Sequence, residues 1–145
     1  MDRSFPGWQL IKFIGVRDSV NLDATYGYSN FYACDLNSDS ATDYAVAISV
    51  ESDTNTVEYF IALLSTNGDF SLFTLATRNG VDEATAGRYA IYLARKGTQI
   101  PDFDQPDSVL VTFETDAITY FPLEGCCSTT YVFQHGQFRG FTSGD

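Results

Sequence analysis

Residues Val57-Glu58-Tyr59-Phe60-Ile61-Ala62-Leu63-Leu64-Ser65-Thr66-Asn67-Gly68-Asp69-Phe70-Ser71-Leu72-Phe73-Thr74-Leu75 decide the fold class. Asn67-Gly68 separates two apolar, aromatic-rich runs, residues 57–65 and 70–75. A two-residue type I′ turn needs positive φ at both central positions, and Asn followed by Gly accepts that backbone readily. Aromatic and β-branched side chains on either side fit a pleated, half-buried surface. The stretch predicts two antiparallel strands joined by a tight hairpin.

The same pattern extends in both directions. Upstream, residues 5–14 read as a first strand after the Pro6-Gly7 turn. Alternation puts Trp8, Leu10 and Lys12 on one face and Gln9, Ile11 and Phe13 on the other. Neither face is uniformly apolar, which suits an edge. Residues 15–30 are polar and read as a long loop. Residues 31–34 and 44–50 read as strands flanking an acidic stretch, and residues 51–56 as a polar turn. Downstream, residues 81–86 fit one helical turn between Gly80 and Gly87. Residues 88–95 read as a strand and residues 96–108 as a loop carrying Pro101 and Pro106. Residues 109–113 and 117–121 read as a hairpin across Glu114-Thr115-Asp116. Residues 129–134 and 137–141 read as another, turning at His135-Gly136. No repeat of 20–50 residues is visible. The expected architecture is mainly β: one domain over residues 1–145, a twisted, partly closed antiparallel sheet with hairpins and little helix.

Composition narrows the classes of function. A chain of 145 residues that is 44% hydrophobic can build one core, and its 15% aromatic content favours sheet. A net charge of −11 argues against nucleic acid and against anionic membrane surfaces, and favours a cation, a basic protein partner or simple solubility. No apolar run approaches the ~18 residues of a membrane span. Met1-Asp2-Arg3-Ser4 leads into Phe5-Pro6-Gly7-Trp8 without the apolar segment of a signal peptide. The expected location is cytoplasmic, or periplasmic or extracellular if a signal has been removed. The cysteines are Cys34, Cys126 and Cys127. With His135 the only imidazole and no C-x-x-C spacing, a structural zinc site is not expected. A disulfide from Cys34 to Cys126 or Cys127 and a set of buried thiols are both compatible with the sequence.

Asp35-Leu36-Asn37-Ser38-Asp39-Ser40-Ala41-Thr42-Asp43 places oxygen-bearing side chains at alternate positions. In a tight loop Asp35, Asn37 and Asp39 can turn toward one centre, Ala41 can offer its carbonyl, and Asp43 can close the loop. Calcium takes six to eight oxygen ligands, so this donor set points to calcium, with water filling the remainder. The spacing D-x-N-x-D-x-x-x-D is the first part of an EF-hand loop, but Val46 stands where the bidentate Glu belongs, and strands rather than helices flank it. The alternative is an acidic, solvated turn rich in Asx-turn formers. Ser40 holds the sixth position, usually Gly; in a left-handed backbone it costs roughly 1 kcal/mol more.

A strand–loop–strand site of this spacing resembles the FG-GAP repeats of integrin-type β-propellers and related secreted bacterial domains, over residues 35–50. The loop occurs once, so a full propeller is not implied. The order of Gly7-Trp8, the acidic loop, Asp116-Ala117-Ile118, residues 131–138 and residues 142–145 is similar to small bacterial proteins with a single FG-GAP-like calcium loop. Some of those are immunity proteins against secreted effectors, and some look like lysozyme inhibitors. The resemblance implies a protein that inhibits a toxin or cell-wall hydrolase by binding it, with calcium holding the loop in shape. Many cell-wall hydrolases are basic, and complementary charge speeds association.

Signs of catalysis are sparse. His135 falls on a predicted hairpin turn, Cys126-Cys127 has no neighbouring cation in sequence to lower its pKa, and phosphate loops and G-x-S-x-G are absent. No enzyme is expected. Pro101-Asp102-Phe103-Asp104-Gln105-Pro106-Asp107 reads as a stiff acidic loop, either solvated or a weak second cation site. Tyr26 and Tyr28, with Asp102, Asp104 and Asp107, are the candidate partner contacts, because loops on rigid scaffolds carry recognition. The second reading of function is a calcium-stabilised extracellular binding module, an adhesin or a glycan-recognition piece.

Overall fold

The computed structural model describes residues 4–11, 29–52, 55–82, 87–102, 109–123 and 127–143. The central hairpin joins β4 (Asn55–Thr66) to β5 (Asp69–Val81). Asn67 and Gly68 have φ of 52° and 90°, the left-handed pair of a type I′ turn, and Thr66 lies opposite Asp69. On the other side of β4 runs β3 (Asp43–Ser52), paired antiparallel from Tyr44 opposite Leu63 to Ser52 opposite Asn55. The far edge of β3 is shared by two short strands. β1 (Trp8–Leu10) pairs with its second half and β2 (Phe31–Cys34) with its first.

A second sheet has the order β11-β10-β9-β6: β6 (Tyr89–Ala94), β9 (Ala117–Pro122), β10 (Ser128–Gln134) and β11 (Gln137–Ser143). β10 and β11 meet at His135-Gly136, whose φ values of 52° and 82° give the expected tight turn. A separate ribbon pairs β7 (Gln99–Asp102) with β8 (Val109–Thr112). The antiparallel, all-β expectation is met, with no helix among the described residues.

The expected single sheet is instead two packed sheets plus a ribbon, because β4 is apolar on both faces. Phe60, Ala62 and Leu64 face inward with Ala45 and Ala47, against Ile91, Leu93 and Ile118 of the second sheet. The Phe60 ring meets Tyr120 across that interface at 4.4 Å. Ile61 faces the other way and is buried with Val46 and Ile48 under Phe5. One isolated bridge, Ser29 to Ile91, ties the two sheets together at an edge. The ribbon covers the outer face of the second sheet, where Ile100 and Val111 pack on Ala94, Phe113, Ala117, Val132 and Phe141.

Three local expectations are corrected. Residues 99–102 form a strand within the expected 96–108 loop; Pro101 is tolerated because a two-stranded ribbon is all edge. Residues 109–113 do not turn back on 117–121. β8 pairs with β7, and the ladder continues as Phe113 N–H donates to the Thr98 carbonyl and Gly97 N–H to the Phe113 carbonyl, at 3.0 and 2.8 Å. Burial of Phe113 under the second sheet fixes that pairing. Val81 ends β5 rather than starting a helical turn, and residues 83–86 lie outside the described residues, as do residues 12–14 of the expected first strand and 15–28 of the expected long loop.

β5 carries two register shifts against β4. Opposite Val57 stand Asn79 and Gly80, with Gly80 at φ 69°, a bulge that needs a left-handed residue. The second shift inserts Leu75 between Thr74, opposite Ile61, and Ala76, opposite Phe60. One extra residue reverses the side-chain alternation. Phe73 points inward before the shift and Arg78 points inward after it, directly opposite Glu58.

Candidate metal centre

The loop between β2 and β3 is pinned from beneath. Leu36 is fully buried and its N–H donates to Asp43 Oδ2 at 2.8 Å. Asp43 is also fully buried, and its Oδ1 accepts the Ser65 N–H at 2.8 Å. Its carboxylate therefore ties the loop to the end of β4. Burial raises the Asp43 pKa, the nearby Asp39 and Asp35 charges add to this, and the two N–H donors oppose it.

Above this anchor, three of the expected donors converge. The Asp39 N–H is shared by Asp35 Oδ1 at 3.2 Å and Asn37 Oδ1 at 3.1 Å. Asp35 Oδ2 accepts the Ser40 N–H at 3.1 Å, and Asp39 Oδ1 accepts the Ala41 N–H at 2.7 Å. Asn37 Nδ2 donates to Asp39 Oδ2 at 2.9 Å. The chain coils this tightly because Ser38 and Ser40 take left-handed backbones, φ 59° and 66°. Ser40 thus occupies the conformation that favours Gly at that position. Among the described residues no three His, Cys, Asp or Glu side chains are gathered as a metal-holding group. The convergent set is two carboxylates and one amide, with Asp43 engaged beneath them and Ala41 in the loop wall. These are hard oxygen donors, suited to calcium or magnesium completed by water rather than to a softer metal.

Asp116, not among the expected loop donors, braces the loop from the second sheet. Its Oδ2 accepts the Asp35 N–H at 3.3 Å and pairs with Arg95 Nη1 at 3.0 Å; its Oδ1 accepts the Lys96 N–H at 3.1 Å. The Asp116 N–H returns a bond to the Asp35 carbonyl at 3.2 Å, and Ser38 Oγ donates to the Glu114 carbonyl at 3.3 Å. Only its Asp-Ala-Ile context in the sequence hinted at a role.

A second charged group lies in the core. Glu58, almost fully buried, pairs through Oε2 with Arg78 Nη1 at 2.6 Å, and its Oε1 accepts the Gly87 N–H at 2.8 Å. The Arg78 guanidinium lies over the Tyr89 ring at 4.2 Å, and Tyr89 stacks on Tyr120 at 4.9 Å. Burial pushes the Tyr120 hydroxyl pKa up. The available sequence signal was an acid inside an otherwise apolar strand.

Of the two readings compatible with the sequence, Cys34 follows the buried thiol and not the disulfide; Cys126 lies outside the described residues. Its Sγ faces the Asp43 carbonyl at 3.8 Å. Burial, then the Asp43 and Asp116 charges, pushes its pKa from 9.0 up to about 12. The folded state holds the neutral thiol, so its contribution to stability is complete below pH 9.0 and is lost as pH rises through about 12. Thiol labelling followed by mass spectrometry should leave Cys34 unmodified in native protein at pH 8 and modify it only in denaturant. Rapid native labelling would contradict this burial.

Of the expected partner contacts, Tyr26, Tyr28, Asp104 and Asp107 lie outside the described residues. Asp102 ends β7 opposite Val109. His135 sits exposed on its turn. Comparison with protein-family models, curated proteins and solved structures gave no match to the chain.

Proposed function

We propose that this chain is a non-enzymatic binding protein that occludes a bacterial toxin or cell-wall hydrolase, with calcium holding the β2–β3 loop. The observation that carries the calcium reading is the convergence of Asp35, Asn37 and Asp39 on a loop anchored by Asp43 and Asp116. Bound calcium supplies positive charge among these oxygens. Asp35, Asn37 and Asp39 would hold it, while Asp43 fixes the loop floor. The strand–loop–strand setting supports the likeness to single-loop FG-GAP-type immunity proteins, and the charge of −11 suits a basic target. Inhibition then needs no chemistry: a rigid acidic scaffold covers the target's active site.

Co-expression with a toxin encoded beside its gene should rescue growth, and the pair should co-elute on size-exclusion chromatography. Raising salt should weaken the complex, as expected for exposed charge pairs. If no neighbouring product is toxic and pull-downs from the host recover nothing, the inhibitor reading is lost. The exposed rings of Phe31 and Phe70 favour one second reading, stacking on sugars in a glycan-binding module. Specific retention on a glycan array would select it.

A further inference from the structure

The described residues cover only half of the outer face of the first sheet. At one end Phe5 packs on Tyr59 at 4.7 Å and, with Trp8, closes over Val46, Ile48 and Ile61. At the other end the described residues leave the face open. Phe31 stacks on Tyr44 at 5.3 Å, and Tyr44 meets Phe70 at 5.6 Å, a row of rings from β2, β3 and β5. The register extends the row, since Tyr44 lies opposite Leu63 and Leu63 opposite Leu72. Phe31, Phe70 and Leu72 remain 47%, 52% and 37% exposed. Exposed rings of this size add little to folding, and a contiguous apolar patch on a polar surface marks an interaction site.

Among the described residues of the first sheet and its loops, the exposed charges are of one sign. In residues 4–11, 29–52 and 55–82 the only Lys or Arg is Arg78, and it turns inward onto Glu58. Of the exposed acids, Glu51 and Asp82 lie at the covered end and Asp39 and Asp69 at the open end. Exposed Asp69 directly precedes Phe70, and exposed Asp39 sits in the β2–β3 loop. The bond from Ser65 N–H to Asp43 Oδ1 holds that loop against the strand end whose Ser65 lies opposite Phe70. A second copy of this chain would bring −11 against −11 and is disfavoured. The complementary surface is apolar at its centre and cationic at its rim.

Accepting that the chain acts by binding another protein, we infer that this open half-face, Phe31, Tyr44, Phe70 and Leu72 beside the acidic loop, is the docking surface for a basic, apolar-centred segment of its partner. The segment continues the cover that Phe5 and Trp8 begin. Its apolar side chains sit on the ring row, and a lysine or arginine at its rim meets Asp69.

The test uses a fluorescently labelled peptide of alternating lysine and leucine, with glutamate–leucine and lysine–serine counterparts, titrated with the full chain. The lysine–leucine peptide should bind, and each counterpart should bind at least about tenfold more weakly. Paired Phe31→Ser and Phe70→Ser should weaken it by about tenfold or more, as expected for central aromatic anchors, without changing the melting temperature. Paired Val109→Ser and Leu110→Ser, on residues 53% and 62% exposed elsewhere, should leave binding unchanged. The proposal is overturned if the ring variant binds like wild type, if both pairs weaken binding equally, or if the glutamate–leucine peptide binds as well. Loss of glycan retention or of self-association in the ring variant, with no peptide binding, overturns it in favour of a sugar or a second copy. If the ring variant still rescues a co-expressed toxin, the surface is wrong and the inhibitor reading stands; if wild type rescues none, that reading itself fails.

Discussion

Glu58→Ala should lower the unfolding free energy by about 3–5 kcal/mol, the range for removing one partner of a buried ion pair. The loss has two sources. Arg78 keeps its charge between the sheets without the carboxylate 2.6 Å away, and the buried Gly87 N–H loses its acceptor. Glu58→Gln should cost less, since its amide oxygen can still accept from Gly87. Converting Glu58 and Arg78 together to leucine and methionine should recover much of the loss, because desolvating the pair is itself costly. Urea titration resolves these cases as shifts in midpoint at constant slope. A cost below about 1 kcal/mol for Glu58→Ala would mean that the ion pair is solvated and that the sheets do not close around Tyr89 and Tyr120.

Asp43→Ala should cost about 1–3 kcal/mol for each backbone N–H it orphans, those of Leu36 and Ser65. The effect separates floor from ligand. Asp35→Ala and Asp39→Ala remove exposed or half-exposed groups and should barely change the stability of calcium-free protein. Asp43→Ala should lower it strongly, and Asp43→Asn, which keeps one acceptor oxygen, should fall between. Denaturant titration in chelator makes the comparison. Equal losses for Asp39→Ala and Asp43→Ala would show that the loop has no buried floor.

The parts of this fold legible in the sequence are those set locally. Asn67-Gly68 and His135-Gly136 each specify a turn whose backbone only a few residue types accept, so both hairpins follow from dipeptides and flanking alternation. The β7–β8 ribbon was hidden because residues 109–113 and 117–121 look like hairpin partners, and only burial of Phe113 and the remote bonds of Asp116 break that symmetry. The inward turn of Arg78 was hidden for a related reason. Leu75 is an extra residue that reverses the alternation of β5, and nothing in Phe73-Thr74-Leu75-Ala76 marks it. At the candidate centre, Asp35, Asn37 and Asp39 were legible because their alternate spacing is itself the geometry. Asp43 read as one more donor; its place as the buried floor depends on Ser65, 22 positions away. Asp116, 81 positions from Asp35, depends on how the two sheets pack.

Calorimetric titration of chelator-treated protein with calcium tests the central claim most directly. Wild type should show a single site, with stability raised by roughly 2.7 kcal/mol at a hundredfold excess over Kd, and Asp35→Ala with Asp39→Ala should abolish both the heat and the rise in melting temperature. Wild type that gives neither heat nor a shift in melting temperature would reduce the loop to an Asx-rich turn and contradict the calcium account.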